Sequence, residues 1–484
     1  MKKYDVIIIG GGVTGTSVAR ELSRYKLRIA VLEKEEELAF GVSKSNSGII
    51  HPGTQNPPGS LKGRLCVEGN GLTRTIAREL GVDFKEVGEL IVAFDDEDVA
   101  VLRRIKKDAE ALGVRGLSIV DPAWLKIHEP NLNPAVVAAL SAPTAGIISP
   151  YRWVYDLAEN AQRNGVDIRT GTRVAAIDPG QADCCPGRKN FRIMTDSGEY
   201  NASFVINCAG LCADEIARMV NINDFSITPR KGEEFILDKK RENLTNHLIF
   251  PLPTATSKGV LMIKTSDGNP MIGPTAQDVA SKDDLSTSTA GLQKVLESAR
   301  RLVPSVSEGD IISYFAGLRP VAGDDFIIRH EPSVPGMVTV AGIQSPGLTC
   351  APAIARMVAG ILRDSGLVLR KKLIFRRFRK RTNHLFAIPL SKTAQLMKKD
   401  KAYGDIVCRC EMVSAKEISE AISRGATTMD GIKFRTRAQA GRCHGSFCTT
   451  RVMKILAQGT VKKITEVSKR GPGSEVVFKD RQDD

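Results

Sequence analysis

The strongest constraint on this chain is the passage of an apolar run, Tyr4-Asp5-Val6-Ile7-Ile8-Ile9, directly into Gly10-Gly11-Gly12-Val13-Thr14-Gly15. The run suits a buried parallel strand. Ser17–Tyr25 then has helical character, with Val18, Ala19 and Leu22 on one face, and a second apolar run, Arg28–Leu32, ends at Glu33. Strand, glycine turn, helix, strand and acidic residue follow one another at the length of a βαβ unit. Each position answers a physical demand: Gly10 permits the tight turn, Gly12 lets the backbone approach a pyrophosphate, and Gly15 allows close helix–strand packing. The helix N-terminus faces the phosphates, and Glu33 accepts hydrogen bonds from ribose hydroxyls. Thr14 and Lys34, flanking this frame, join the residues expected to touch a dinucleotide.

A chain of 484 residues is too long for one ordinary core, so two or three domains are expected. Several separated stretches bear on which dinucleotide is bound. Ser43-Lys44-Ser45-Asn46-Ser47-Gly48-Ile49-Ile50-His51 is a loop of small residues; Thr172-Arg173-Val174, Val205–Gly210 and Ala341–Thr349 follow in order. Along most of residues 1–365 this series resembles the glycine-oxidase-like (D-amino-acid-oxidase type) FAD oxidoreductases. The resemblance implies FAD as cofactor, with Ser43, Ser47 and Gly48 crossing the pyrophosphate and flavin and the Val174 backbone meeting the adenine. It places Ala209 and Gly210 in the strand-turn over the FAD, and Gly342, Gly347, Leu348 and Thr349 beneath the ring. The implied fold is α/β: a Rossmann-like FAD-binding domain (about 1–51, 146–225 and 319–365) interleaved with an α+β substrate domain (about 52–145 and 226–318). Helical runs Leu72–Leu80 and Glu97–Leu112 and strands Glu89–Phe94, Glu233–Leu237 and Val260–Lys264 populate the latter.

Oxidation of an alcohol or amine at a flavin requires a group to accept the heteroatom proton, and an anionic substrate requires a fixed cation. His51 follows the flavin loop, and the resemblance brings it close to the ring. Arg319, in Gly317-Leu318-Arg319-Pro320, looks like the family arginine for a carboxylate or phosphate, and Lys231 is a second candidate anion contact. Asn46–His51 with Pro58–Lys62 resembles L-2-hydroxyglutarate oxidases, whereas the full domain order resembles the anaerobic type of glycerol-3-phosphate dehydrogenase. Glu233-Glu234 departs from the latter, since a phosphate site favours small or basic residues. Glycerol 3-phosphate is the expected substrate; a 2-hydroxy acid or amino acid is the alternative.

The ten cysteines are unevenly placed. Cys66, Cys208, Cys212 and Cys350 lie among apolar neighbours and read as core, while Cys184-Cys185 fall in a loop-like stretch and carry no role. Cys408, Cys410, Cys443 and Cys448 stand apart: C-x-C, thirty-two residues, C-x4-C. Four thiolates hold zinc or an iron–sulfur cluster, and C-x-C is uncommon in zinc knuckles. Cys-Arg-Cys-Glu at Cys408–Glu411 and Gly-Arg-Cys-His-Gly-Ser-Phe-Cys at Gly441–Cys448 resemble the bacterioferritin-associated-ferredoxin type of [2Fe–2S] domain, over 404–457. Ser414 and Glu417 suit a capping box, and a helix is expected over Thr449–Ala457. Arg409, Lys433, Arg435, Arg437 and Arg442 are expected to offset the cluster's charge, His444 is a neighbour rather than a ligand, and residues 458–484 form a tail.

Residues 366–403 are expected to be a basic linker, since Arg370–Arg381 reads RKKLIFRRFRKR within a chain of formal net charge +14. An anionic membrane surface or an acidic protein suits such a patch. No nucleic-acid module accompanies it. With no apolar run of eighteen residues, the expected location is cytoplasmic, with the inner membrane face as a peripheral option. Joined together, the halves predict a dehydrogenase that passes electrons from flavin to cluster and on to partner redox subunits. An electron-transfer or assembly subunit is the reading from a different class.

Overall fold

The computed structural model describes residues 2–180, 190–254 and 258–478, and Cys184 and Cys185 lie outside them. β1 (Lys2–Ile9) sits between β2 (Ile29–Leu32) and the strand Gly198–Asn207, parallel to both. Val166–Arg169 and Met337–Ala341 extend the parallel sheet on either side, and further antiparallel strands complete eight. Such a sheet is covered on both faces, which explains why Val6, Ile7 and Ile8 are all fully buried.

α1 spans Val13–Leu22, four residues earlier at its start than the periodicity suggests. The turn feeds it directly, and the Ser43 hydroxyl accepts the otherwise unpaired Val13 N–H at 2.9 Å. Gly10 has φ +108°, and a Cβ on Gly15 would stand 2.0 Å from the Gly10 carbonyl, so these two positions require glycine. Val18, Ala19 and Leu22 of α1 join Ile354, Val358 and Leu362 of the helix Gly347–Asp364 in one core.

A second, nine-stranded sheet forms the roof. Its longest strands, Thr228–Leu237 and Ile311–Val321, pair antiparallel with Arg230 opposite Arg319 and Glu234 opposite Phe315. The expected helix Leu72–Leu80 is the second half of Leu61–Leu80. Gly63, Gly69 and Gly71 mask its first half in the sequence. Gly69 is needed there, because a Cβ would meet the Thr349 carbonyl at 2.1 Å.

The carboxy-terminal unit packs three helices, Ala415–Ser423, Met429–Thr436 and Thr449–Thr460, around Val413, Ile418, Ile432, Val452 and Leu456. The capping box forms: Ser414 N donates to Glu417 at 2.9 Å, and Glu417 N donates to the Ser414 hydroxyl at 3.3 Å. The expected tail instead folds back. Val467 is buried, and Met429 N donates to the Ser468 carbonyl at 3.1 Å.

The expected linker likewise lies on the body. Lys372 N donates to the Arg24 carbonyl at 2.8 Å, and Arg376 N donates to Asn164 Oδ1 at 2.9 Å. Arg379 is buried between Asp156 (2.9 Å) and Glu159 (2.6 Å). Composition reveals the positive charge of this run but not the distant carboxylates that receive part of it.

A flavin cleft and a four-cysteine site

Between the two sheets runs an open cleft of about 1370 Å³. At one end stand Gly10, Gly12, Thr14, Glu33, Lys34 and Val174; Ser43, Ser47, Ala209, Gly210, Gly347 and Leu348 line its length. Further along are His51 and Arg319, then Glu234, read from the sequence only as a departure from a phosphate site, and two groups that carry no motif, Gln55 and Lys258. Glu33 is held by Gly11 N at 2.6 Å and Glu35 N at 2.9 Å, and burial pushes its carboxyl pKa upward.

Five expected contacts do not line the cleft. Gly15 and Gly48 serve backbone packing, each where a Cβ would collide with a carbonyl (Gly10 and Ile148). Gly342, at φ +67°, turns the chain beside Ala322. The Thr349 hydroxyl accepts His51 N at 2.9 Å, so it fixes the backbone of His51 from behind. Lys231 is the clearest correction: its ammonium donates to Asp284 at 2.8 Å and to Ser286 at 3.4 Å. Strand alternation turns Arg230, Gly232 and Glu234 toward the cleft and Lys231 away from it.

His51 is immobilised through its backbone. Besides the Thr349 contact, its carbonyl accepts Asn70 Nδ2 at 3.0 Å, and its ring meets Phe250 edge-on at 6.1 Å. Burial, reinforced by the Lys258 charge, holds its pKa well below the ordinary imidazole value, so the ring is neutral at pH 7. Burial likewise lowers Lys258. Glu234 is buried with Oε2 unpartnered, and burial lifts its pKa to about 7 against the opposing pull of Arg319. Arg319 Nη2 donates to the Thr275 carbonyl, leaving the rest of its fork toward the cleft.

Behind these groups Glu89 is fully buried, with Thr54 donating to one oxygen and the other unpartnered. Burial raises its pKa from 4.5 to about 7. The folded protein therefore holds this proton more tightly than the unfolded chain. Stability therefore falls as pH rises from about 4.5 through about 7, then levels. Glu89→Gln is expected to gain up to about 3 kcal/mol on the wild type between pH 5 and pH 8. Thermal unfolding at the two pH values checks this, and an equal difference at both would contradict it.

In the carboxy-terminal unit the cysteines fall into two pairs. Cys410 and Cys443 sulfurs lie 3.5 Å apart, and Cys408 is hydrogen-bonded to Cys448. Two thiolates on one tetrahedral metal at about 2.3 Å stand about 3.7 Å apart. Two pairs suit a binuclear group, in which each iron takes two thiolates. The Cys448 hydrogen bond, outweighing burial and aided by the Gln439 and Glu411 N–H groups, holds Cys408 down to about 6. For Cys443 burial acts upward, but the N–H groups of Gly445 and Phe447 help bring the net shift down.

Most of the cations expected to offset the cluster are otherwise engaged. Arg435 pairs with Glu37 at 2.6 Å, Arg437 bridges Glu411 (2.7 Å) and Asp267 (2.9 Å), and Arg442 meets Asp238 at 2.8 Å. Glu37, Asp267 and Asp238 belong to the flavin-cleft body, so these charges dock one unit on the other. His444 donates to or accepts from no cysteine in this set; its Nε2 lies 2.6 Å from the Ile312 carbonyl. The folded-back tail brings Arg470 to the cleft wall, 3.4 Å from Glu35 and beside the Phe40 ring.

The doubly covered parallel sheet, glycine turn and long cleft define a flavin-dependent oxidoreductase, and the chain belongs to the FAD dependent oxidoreductase family, whose model matches residues 5–361. A BFD-like [2Fe-2S] binding domain matches residues 406–458. The cofactors are accordingly FAD and a [2Fe–2S] cluster. A glycerol 3-phosphate dehydrogenase from Caloramator mitchellensis is 41% identical over 98% of this chain and 98% of its own. A glycerol 3-phosphate oxidase from Mycoplasma genitalium is 32% identical over 77% of this chain and 97% of its own. Among solved structures, the FAD-bound L-alpha-glycerophosphate oxidase of Mycoplasma pneumoniae superposes with TM-score 0.73 at 32% identity, covering 78% of this chain and 98% of that one. The fold class read from the sequence is thus borne out.

Proposed function

We propose that the chain oxidises glycerol 3-phosphate at its secondary alcohol to dihydroxyacetone phosphate and sends the electrons out through the cysteine site. The observation that carries this reading is a cleft lined both by a neutral, immobilised His51, near enough to Lys258 to feel its charge, and by the Arg319 guanidinium. FAD supplies the hydride acceptor for C2–H, and the [2Fe–2S] group supplies one-electron transfer. His51 takes the hydroxyl proton, for which a neutral imidazole is required. Arg319 and Lys258 hold the phosphate, the guanidinium through its fork and the ammonium as a point charge. Glu234 accepts a hydrogen bond from the terminal hydroxyl.

In its ionised form Glu234 also favours this substrate over a dicarboxylic 2-hydroxy acid, whose second carboxylate would face a buried charge of like sign. The full-length match to the dehydrogenase, against about three-quarters of the chain for the oxidases, supports an acceptor reached through the cluster domain. Anaerobic addition of glycerol 3-phosphate is expected to bleach the flavin absorbance, while L-2-hydroxyglutarate leaves it unchanged. Bleaching by the hydroxy acid alone would reverse the assignment.

At the far end of the cleft, Gly10, Gly12, Ser43 and Glu33 hold the dinucleotide, and we include Arg470. Lys44 and Arg470 flank the Phe40 ring at 4.0 and 5.7 Å, and Lys44 forms no ion pair among the described residues. Burial and then the Arg470 charge lower Lys44 to about 8. Two cations so placed beside the glycine turn suit a pyrophosphate. Arg470→Ala is expected to weaken FAD binding about tenfold, as for one charge-assisted hydrogen bond. Glu35→Gln, which removes only the ion pair, should leave FAD affinity intact. Titration of stripped protein by flavin fluorescence reads both; equal losses would reduce Arg470 to a docking role.

A further inference from the structure

We propose that residues 366–380 form a strap that docks the protein on an anionic lipid surface. Val368, Leu373, Ile374 and Phe378 are 57, 97, 77 and 63% exposed, a concentration of bare apolar side chains within eleven residues. Single exposed apolar residues are ordinary; a cluster of this kind marks a contact surface.

The strap is held in place. The Arg370 carbonyl accepts Lys26 N at 2.8 Å, Lys372 N donates to Arg24, Arg376 N donates to Asn164, and Arg379 is buried between two carboxylates. Phe375 turns inward beneath the Arg24 guanidinium at 4.8 Å, which pins the segment between its two outward apolar groups. Leu373, Ile374 and Phe378 are therefore displayed by an ordered backbone, and little chain entropy is lost when they are covered.

Charge identifies the occupant. Arg370, Lys371, Arg376, Arg377 and Lys380 are exposed and form no ion pair among the described residues. The sequence from Gly366 to Thr382 contains no Asp or Glu. Protruding leucine, isoleucine and phenylalanine interspersed along the chain with cations that form no ion pair fit the boundary between headgroups and acyl chains of an anionic leaflet, where each basic residue adds attraction and each apolar side chain inserts. A protein partner would call for a concave or flat apolar face, whereas these side chains stand out one by one from a segment of irregular backbone. No described helix is long and apolar enough to cross a membrane, so the contact is peripheral.

The test is co-sedimentation of the purified full-length holoprotein with phosphatidylcholine vesicles, with and without phosphatidylglycerol. Wild-type protein is expected to bind the anionic vesicles, to leave them as salt shortens the screening length, and to ignore pure phosphatidylcholine. Leu373→Ser with Ile374→Ser is expected to weaken binding about tenfold or more, and Lys371→Glu with Arg377→Glu to do the same. All four positions are solvent-exposed, so flavin absorbance and turnover should be unchanged. Failure to bind anionic vesicles would overturn the proposal. So would undiminished binding by the Leu373→Ser, Ile374→Ser protein, which would trace the attraction to overall charge. Dissociation of a defined oligomer by the same pair in size-exclusion chromatography would assign the strap to a protein interface instead.

Discussion

Cys443→Ala is expected to remove the [2Fe–2S] absorbance and EPR signal while leaving FAD bound and reducible by substrate. Cys443 stands 3.5 Å from Cys410 and supplies half of one thiol pair. Without it one iron keeps a single thiolate, and the binuclear group loses the four-thiolate set on which it depends. The flavin cleft draws none of its lining from residues 404–457, so the reductive half of the reaction should proceed at its wild-type rate. Transfer onward to an artificial one-electron acceptor should fall to background. The two half-reactions, followed separately by stopped-flow absorbance, distinguish this outcome from general unfolding. An intact acceptor rate without the cluster would show that electrons leave directly from the flavin.

The second large effect belongs to His51. His51→Asn should lower kcat about a hundredfold to ten-thousandfold, the range expected when a general base is lost, with a smaller change in KM. Asparagine preserves the backbone contacts to Thr349 and Asn70, which use only the His51 N–H and carbonyl. Arg319→Ala provides the contrast: it removes an anion contact rather than a proton acceptor, so its loss should fall mainly on KM. Partial rescue of His51→Asn by added imidazole would separate a proton-transfer role from a structural one. A KM effect without a kcat effect would make His51 a binding residue only.

What was legible in the sequence was local. Gly10–Gly15 with Glu33, and the two cysteine motifs, each lie within a short stretch whose spacing carries its own physical reason. The docked sheets were legible only through ordered resemblance. Lys231 was misjudged because strand parity, not residue type, decides which of Arg230, Lys231 and Glu234 meets the cleft, and the pairing with Ile311–Val321 sets that parity. Lys258 and Arg470 carry no motif; tertiary folding alone brings them to opposite ends of one cavity. Arg435, Arg437 and Arg442 were assigned to the cluster by proximity in sequence. Their carboxylate partners, Glu37, Asp267 and Asp238, lie far away along the chain and could not be seen from it.

One electron path from substrate through flavin to the cysteine site is tested by a single titration. Glycerol 3-phosphate is added stepwise to the anaerobic holoprotein while flavin absorbance and low-temperature EPR are recorded on the same sample. The flavin is expected to bleach as a reduced [2Fe–2S] signal appears. A flavin that bleaches while the cluster stays oxidised would contradict it.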